Sequence, residues 1–305
     1  MSPSTSRGEA SVAILAETFG LSRQAVYAAR AAHQAASERP GRWPARPSVP
    51  VAEAPTPGRG VPVATLSEAI DSIVQEQPAW GIRKVWAVLR RRGLHVGRRR
   101  VHAMMRASGL VLPRDSEGPR DPAPMGHVTT PEPNRRIAVD FTTVWTTEDG
   151  NVAVAIGVDC GCRSVLDVTV TKSQSSGAIL ASADRALQAA FGSPAGVADG
   201  VELRSDHGPQ YTGYDAEALV QAWGVTHTFA PVGRPTGNAV AERTIRTMKE
   251  ECIWLRDWRN LSELHEALQA WARAFNHDRP HQALGWQTPA ERRAEHLGPP
   301  QRKAA

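Results

Sequence analysis

Residues 136–145 read RIAVDFTTVW and residues 152–159 read VAVAIGVD, with Glu148-Asp149-Gly150-Asn151 between them. Both runs are β-branched and apolar, and the Asp-Gly pair is a hairpin signal. The spacing therefore predicts two antiparallel strands. Ser164–Thr171 continues as a third strand. Downstream the period changes: helices are expected near Ser176–Ala190 and Asp215–Trp223, and strands near Val201–Ser205 and Val225–Phe229. A long helix from about Asn238 to Trp254 and another over Leu261–Asn276 close the region. Three meandering strands followed by alternating helices and strands predict an α/β layer fold with a mixed sheet, over residues 134–295. A short tail, 296–305, follows.

Upstream of a Pro-rich joint at 113–133, the pattern is helical. Ile70, Ile73 and Val74 form one stripe, Ile82, Val85, Trp86 and Leu89 a second, and Val101, Met104 and Met105 a third, with Gly93 and Gly97 as punctuation. This unit spans 63–112. No acid occurs between Glu76 and Asp115, whereas nine Lys or Arg residues lie in Arg83–Arg106. Such density on a helix-turn-helix frame favours phosphate contacts, with Arg83, Lys84, Arg98, Arg99 and Arg100 as candidates. If about six reached phosphates, duplex binding would show a log–log salt slope near −5.

Residues 37–62 carry seven prolines and no periodic apolar face, which reads as a linker. Residues 1–36 read as a further helix-turn-helix: Ala16, Gly20 and Val26 stand at its spacing, and Ser22 can cap the second helix.

At 305 residues the chain has room for two or three domains. Its composition, 41% hydrophobic and 22% charged, excludes the disordered and membrane classes. The N-terminus has no apolar signal core, so a cytoplasmic location is expected. Three cysteines give no disulfide framework, and Cys160-Gly-Cys162 lacks a second ligand pair for zinc, so a strand-end turn is expected there. Net charge is +5, but residues 1–110 hold 16 basic against 7 acidic side chains, and residues 134–250 hold 10 against 13. A basic front half joined to a mildly acidic middle suits a DNA-gripping module attached to a carboxylate centre.

Three acids stand at informative places. Asp140 lies mid-strand in an apolar run, a costly position unless the charge is used. Asp206 ends a strand in Ser205-Asp-His-Gly-Pro-Gln-Tyr-Thr212, and Glu242 lies in the first turns of the long helix. A strand centre, a neighbouring strand end and a helix start can converge. Three carboxylates together repel unless cations neutralise them, and hard oxygen donors select Mg²⁺ or Mn²⁺. Two such ions about 4 Å apart activate an attacking oxygen and stabilise the leaving one in phosphoryl displacement. Sixty-five residues separate the first acid from the second, and thirty-five the second from the third.

With these motifs the chain resembles the DDE transposases and retroviral integrases, and within them the second-frame (OrfB-type) transposases of the IS-three family. Trp80–Val85 and Gly97–Leu110 are similar to that family's helix-turn-helix. Val139-Asp140-Phe-Thr-Thr-Val144, Ser205–Thr212 and Asn238-Ala-Val-Ala-Glu242 are similar to its three acid motifs. Phe275-Asn-His-Asp-Arg-Pro-His-Gln-Ala-Leu284 through Thr288-Pro-Ala-Glu291 is similar to its C-terminal signature. The chain departs in having Gly237 where the family usually has Asp. The resemblance implies an RNase H-like core, and cleavage and strand transfer of element ends by Asp140, Asp206 and Glu242. It also implies double-stranded end and target DNA as partners, a complex of at least two copies, and a possible first-frame protein, fused or separate. Arg246 and Lys249, at i+4 and i+7 from Glu242, share its helix face, and the resemblance implies that they touch end DNA. Asn238 either orients a reacting group or caps the helix, and His207 either aids proton transfer or makes a structural bond. Trp254, Trp258 and Trp271 read as core. Two other readings use the same residues: a nuclease that hydrolyses without joining, and a DNA-binding regulator without catalysis.

Overall fold

The computed structural model describes residues 61–111, 130, 132–230 and 238–297. The helix-turn-helix expected in 1–36, the linker at 37–62 apart from its last two residues, and the joint at 113–133 save 130, 132 and 133 lie outside them.

Within 61–111 there are three helices and no strand: α1 (Val63–Glu76), α2 (Ile82–Arg91) and α3 (Arg98–Ala107). Their apolar stripes meet in one small core of Leu66, Ile70, Ile73, Trp80, Val85, Val88, Leu89, Val96, Val101 and Met105. Val74, Ile82, Trp86 and Met104 line its edge. Gly93, at φ +80°, turns the chain after α2, a conformation that side-chain-bearing residues resist. The Trp86 indole donates to the Val96 carbonyl at 2.8 Å and so fixes the segment that leads into α3.

The second region contains β1 (Arg136–Thr146), β2 (Gly150–Asp159), β3 (Val165–Thr171), α4 (Ser176–Phe191), β4 (Glu202–Ser205), α5 (Pro209–Thr212), α6 (Tyr214–Trp223), β5 (Thr226–Phe229), α7 (Ala239–Glu251), α8 (Leu261–His277) and α9 (Pro289–Leu297). The strands form one sheet in the order β3-β2-β1-β4-β5. β1–β2 and β2–β3 pair antiparallel, whereas β1–β4 and β4–β5 pair parallel. This is the expected mixed sheet, in an RNase H-like arrangement with β1 central.

Both faces of the sheet are covered. Val152, Val154, Ile156 and Val158 of β2 pack with Ile245 and Met248 of α7 and with Leu264, Leu268, Trp271 and Phe275 of α8. On the opposite face Ala153 and Ala155 join Ile137, Val139 and Leu203 against Ile179, Ala183, Ala186 and Leu187 of α4. A strand buried on both sides reads as a continuous apolar run, and β2 does. Gly157 lets α4 approach closely: a Cβ there would stand 2.3 Å from the Ala186 Cβ.

Two expectations differ from the structure. The helix expected to reach Trp254 ends at Glu251. Cys252 leaves helical geometry and a 3-10 turn, Ile253–Leu255, buries Ile253 beside Trp258, whose indole donates to the Ile253 carbonyl at 2.9 Å. Core burial of Ile253 and Trp258 thus overrides helix continuation. Trp258 and Trp271 are core, as expected, but Trp254 is 48% exposed because the turn carries it outward. α9 was not expected as a helix. It starts with a capping box, in which the Thr288 amide donates to Glu291 Oε2 at 2.8 Å and the Glu291 amide to Thr288 Oγ1 at 3.2 Å, with Pro289 at the first position.

Cys160 and Cys162 are buried free thiols in the turn after β2, pushed up by burial. The turn is held by Asp159, wholly buried, which accepts from the amides of Asn134, Gly161 and Cys162 and from Arg293 of α9. No helix among the described residues is long and apolar enough to cross a membrane.

Candidate active site

The β1–β4 register decides where two of the three acids meet. Arg136 stands opposite Glu202, Ile137 opposite Leu203 and Ala138 opposite Arg204. Continued two residues beyond Ala138↔Arg204, that register brings Asp140 opposite Asp206, the residue just after β4. Side chains alternate along a strand, so Asp140 shares the face of Ala138, the face covered by α7. Ala138 and Cys160 pack on Ala241, which is wholly buried in the first turn of α7. Glu242 is the next residue.

Asn238 sets the position of that helix start. Its Nδ2 donates to the Val139 carbonyl at 3.0 Å, immediately before Asp140, and its backbone carbonyl accepts from the Glu242 amide at 3.1 Å. Its side chain makes no capping bond, so of the two expected roles the cap is not the one built. Asn238 is 3% exposed, and its Oδ1 is buried without a hydrogen-bond partner, a costly state for a carbonyl oxygen.

Two of the three carboxylates are shifted by burial and by their neighbours. Burial, then the charges of Asp206 and Glu242, push Asp140 up to about 7, against the Phe141 amide that donates to its Oδ1 at 2.8 Å. Glu242 is raised by burial and by Asp206. Asp206 is exposed, and its Oδ1 accepts from the Gly208 amide at 2.9 Å. A Cβ on Gly208 would meet that same oxygen at 2.9 Å, so only glycine leaves the Asp206 carboxylate undisturbed.

The cations expected beside the acids divide. Lys249 is half-buried, lowered by desolvation and held up by Asp140, so of the three acids it is Asp140 that it neighbours. Arg246 is exposed and pairs with Glu250 at 2.8 Å, one turn along its own helix. His207 is exposed, and its ring lies tilted on Phe229 with centroids 4.8 Å apart. In the helical region Arg98 and Arg99 are exposed at the start of α3, and the Arg98 guanidinium lies 5.5 Å from the Trp86 ring centre. Arg100 donates to the Val61 carbonyl at 2.9 Å. Arg83 and Lys84 face protein: Arg83 bonds Gln282 at 3.2 Å, and Lys84 pairs with the buried Glu251 at 2.5 Å.

Comparison with known proteins matches this architecture. Two family profiles described as Integrase core domain match residues 130–235 and 223–289, and one described as HTH-like domain matches 63–115. The chain is 26% identical over 232 residues to a 31.7 kDa protein of insertion element IS407 from Burkholderia multivorans, covering 76% of this chain and 81% of that one. It is 28% identical over 236 residues to the InsD transposase of element IS2 from Escherichia coli, covering 73% and 76%. The chain belongs to the IS-three type insertion-sequence transposases with an integrase core. Among solved structures, a simian T-cell lymphotropic virus intasome chain aligns over 77% of this chain and 78% of its own at 18% identity and TM-score 0.45. The catalytic core of BIV integrase aligns over 53% and 95% at 18% and TM-score 0.38.

The donor set of the transposase suits a hard divalent cation: three carboxylates, mutually repelling, with one pushed up far enough to hold a proton at neutral pH when no cation is there. Among the described residues no three Asp, Glu, His or Cys side chains are gathered tightly enough to enclose an ion.

One residue of this site carried no expectation. Tyr211, 2% exposed, fills the core beside α4, and burial together with Asp140 and Asp206 pushes its hydroxyl up. Its signal was its place in the Asp206–Thr212 motif, where α5 turns the chain back toward the sheet.

Proposed function

We propose that this enzyme cuts the ends of its insertion element and joins them to target DNA, using Asp140, Asp206 and Glu242 to hold two Mg²⁺ or Mn²⁺ ions. What carries the reading is the register that brings Asp140 opposite Asp206, on the face against which α7 presents Glu242 and Lys249. Bound there, the ions would supply a deprotonated attacking oxygen and neutralise the leaving one. The chain's own residues do the rest. Asp140 would hold a cation as its carboxylate, Asn238 keeps the α7 start against β1, and the Gly208 amide holds Asp206 Oδ1 while leaving its carboxylate room. Lys249 and Arg246 hold the scissile phosphate along the helix face.

In this reading residues 63–112 form a DNA-binding domain, with Arg98 and Arg99 of α3 toward DNA, and 134–295 form the catalytic domain. Residues 1–36 form a further DNA-binding unit. Two copies act together on two element ends in the cytoplasm. The test incubates the full chain with labelled ends of its own element and target plasmid, in Mg²⁺ or Mn²⁺. The expected products are nicked ends and joined strands. Nicking without joining makes the protein a nuclease, and end binding without either makes it a regulator.

A further inference from the structure

Five of the nine basic residues in Arg83–Arg106 are engaged by other parts of the chain, and three of them, Arg83, Lys84 and Arg91, reach one surface of the second region. Lys84 Nζ lies 2.5 Å from Glu251 Oε1, and Arg279 forks onto the same carboxylate at 3.0 and 3.1 Å. The Glu251 side chain is 4% exposed and its carboxyl is lowered; burial opposes that shift, and the two cations produce it. Arg91 makes a two-pronged bond to Glu291 at 2.9 and 2.5 Å, and Arg83 bonds Gln282 at 3.2 Å. The Trp86 and Trp286 rings meet edge to face at 5.8 Å. Trp286 sits at φ +73°, a conformation costly for a bulky residue and kept only where surrounding contacts fix it. Residues 84 and 91 are seven apart and share a helix face.

We infer that α2 is a docking helix and that the end of α7 together with the C-terminal signature is its socket. Glu251, Gln282, Trp286 and Glu291 receive Lys84, Arg83, Trp86 and Arg91, so the residues of α2 that look like phosphate grips bind protein instead. Glu251 is the last residue of α7, the helix whose first turn carries Glu242. The helical domain therefore holds the far end of the acid-bearing helix, and DNA gripped by α3 is placed relative to the acids through this joint. That last step rests on the function proposed above; the docking itself does not.

The experiment uses the full chain and attacks both sides. Lys84→Ala with Arg91→Ala removes the two α2 cations that pair with carboxylates of the socket, neither of which is in the helical core. Glu291→Gln removes the charge on the socket side while keeping a side chain that can complete the capping box of α9. Three readouts are taken: calorimetric unfolding, the salt dependence of binding to element-end duplex, and end cleavage. Docking predicts that each variant splits a shared unfolding transition into two and leaves affinity and salt slope unchanged. End cleavage should fall about tenfold, since a displacement of about 1 Å can cost on the order of a hundredfold. A salt slope shallower by about two in the α2 variant, with unfolding unaltered in both, would show these cations on phosphate and overturn the inference. If the wild-type chain cleaves no end, the proposed function fails, while unfolding and salt slope still judge the docking.

Discussion

Two clusters of charge sit at opposite ends of α7, and they are built on opposite rules. At the C-terminal end Glu251 is buried, but Lys84 and Arg279 answer its charge at hydrogen-bond distance. At the N-terminal turn burial, with the charges of Asp206 and Glu242, raises the proton affinity of Asp140, and burial with Asp206 raises that of Glu242, with Lys249 as the cation near Asp140. A satisfied buried cluster has one stable arrangement and serves geometry. An unsatisfied one stores repulsion that a cationic ligand relieves, and this marks a site of chemistry. One helix links the two, which makes each a probe of the other.

The sharpest way to break the contrast is to neutralise the unsatisfied end. Asp140→Asn, Asp206→Asn or Glu242→Gln should each lower end cleavage and joining by at least about a thousandfold, because several kcal/mol of transition-state stabilisation leave with the ions. Affinity for end DNA should stay near wild type. Joining at wild-type rate by any of the three removes that residue from the site.

The helix face between the clusters comes next. Arg246→Ala with Lys249→Ala should cost on the order of a hundredfold in end-specific cleavage, through loss of alignment rather than of metal. Stabilisation of the variant by Mn²⁺ in a thermal melt should persist. Unchanged cleavage would assign the two cations to the solvent.

Titration sharpens the comparison further. Asp140 lies at about 7 in the folded chain, against 3.8 ordinarily, so the folded state binds the extra proton between those values. Metal-free stability should therefore fall as pH rises from 4 through 7, by up to a few kcal/mol, and the gain from added Mn²⁺ should grow over the same range. Asp140→Asn should flatten both trends. A wild-type melt independent of pH from 4 to 7 would mean that Asp140 is neither buried nor crowded by the other two acids.

The smallest effect belongs to the helical domain. With Arg83, Lys84, Arg91 and Arg92 engaged by Gln282, Glu251, Glu291 and Glu76, and Arg100 by the Val61 carbonyl, the exposed cations left of the nine are Arg90, Arg98, Arg99 and Arg106. The salt slope should then be about −4 rather than the −5 expected from counting charges. Arg99→Ala should make it shallower by about one, and Arg83→Ala should leave it alone. The reverse pattern would place α2 on DNA.

What the sequence determined by itself was everything governed by local period and local chemistry. The hairpin at Glu148–Asn151, the double-sided burial of β2, the three stripes of the helical unit and the acid at Asp140 all follow from alternation and turn residues within a short stretch. The Thr288–Glu291 capping box was legible in the same way, although the helix it opens was not expected. What only the tertiary structure decided were matters of pairing at a distance. The convergence of Asp140 with Asp206 depends on a register between strands 66 positions apart. The end of α7 at Glu251 depends on Ile253 and Trp258 finding the core. Tyr211 took its place in an apolar core built by other segments, and Lys84 beside a buried carboxylate contributed by another helix. A charge in a sequence carries a sign but no partner; folding supplies the partner, and with it decides whether the charge is structural or chemical.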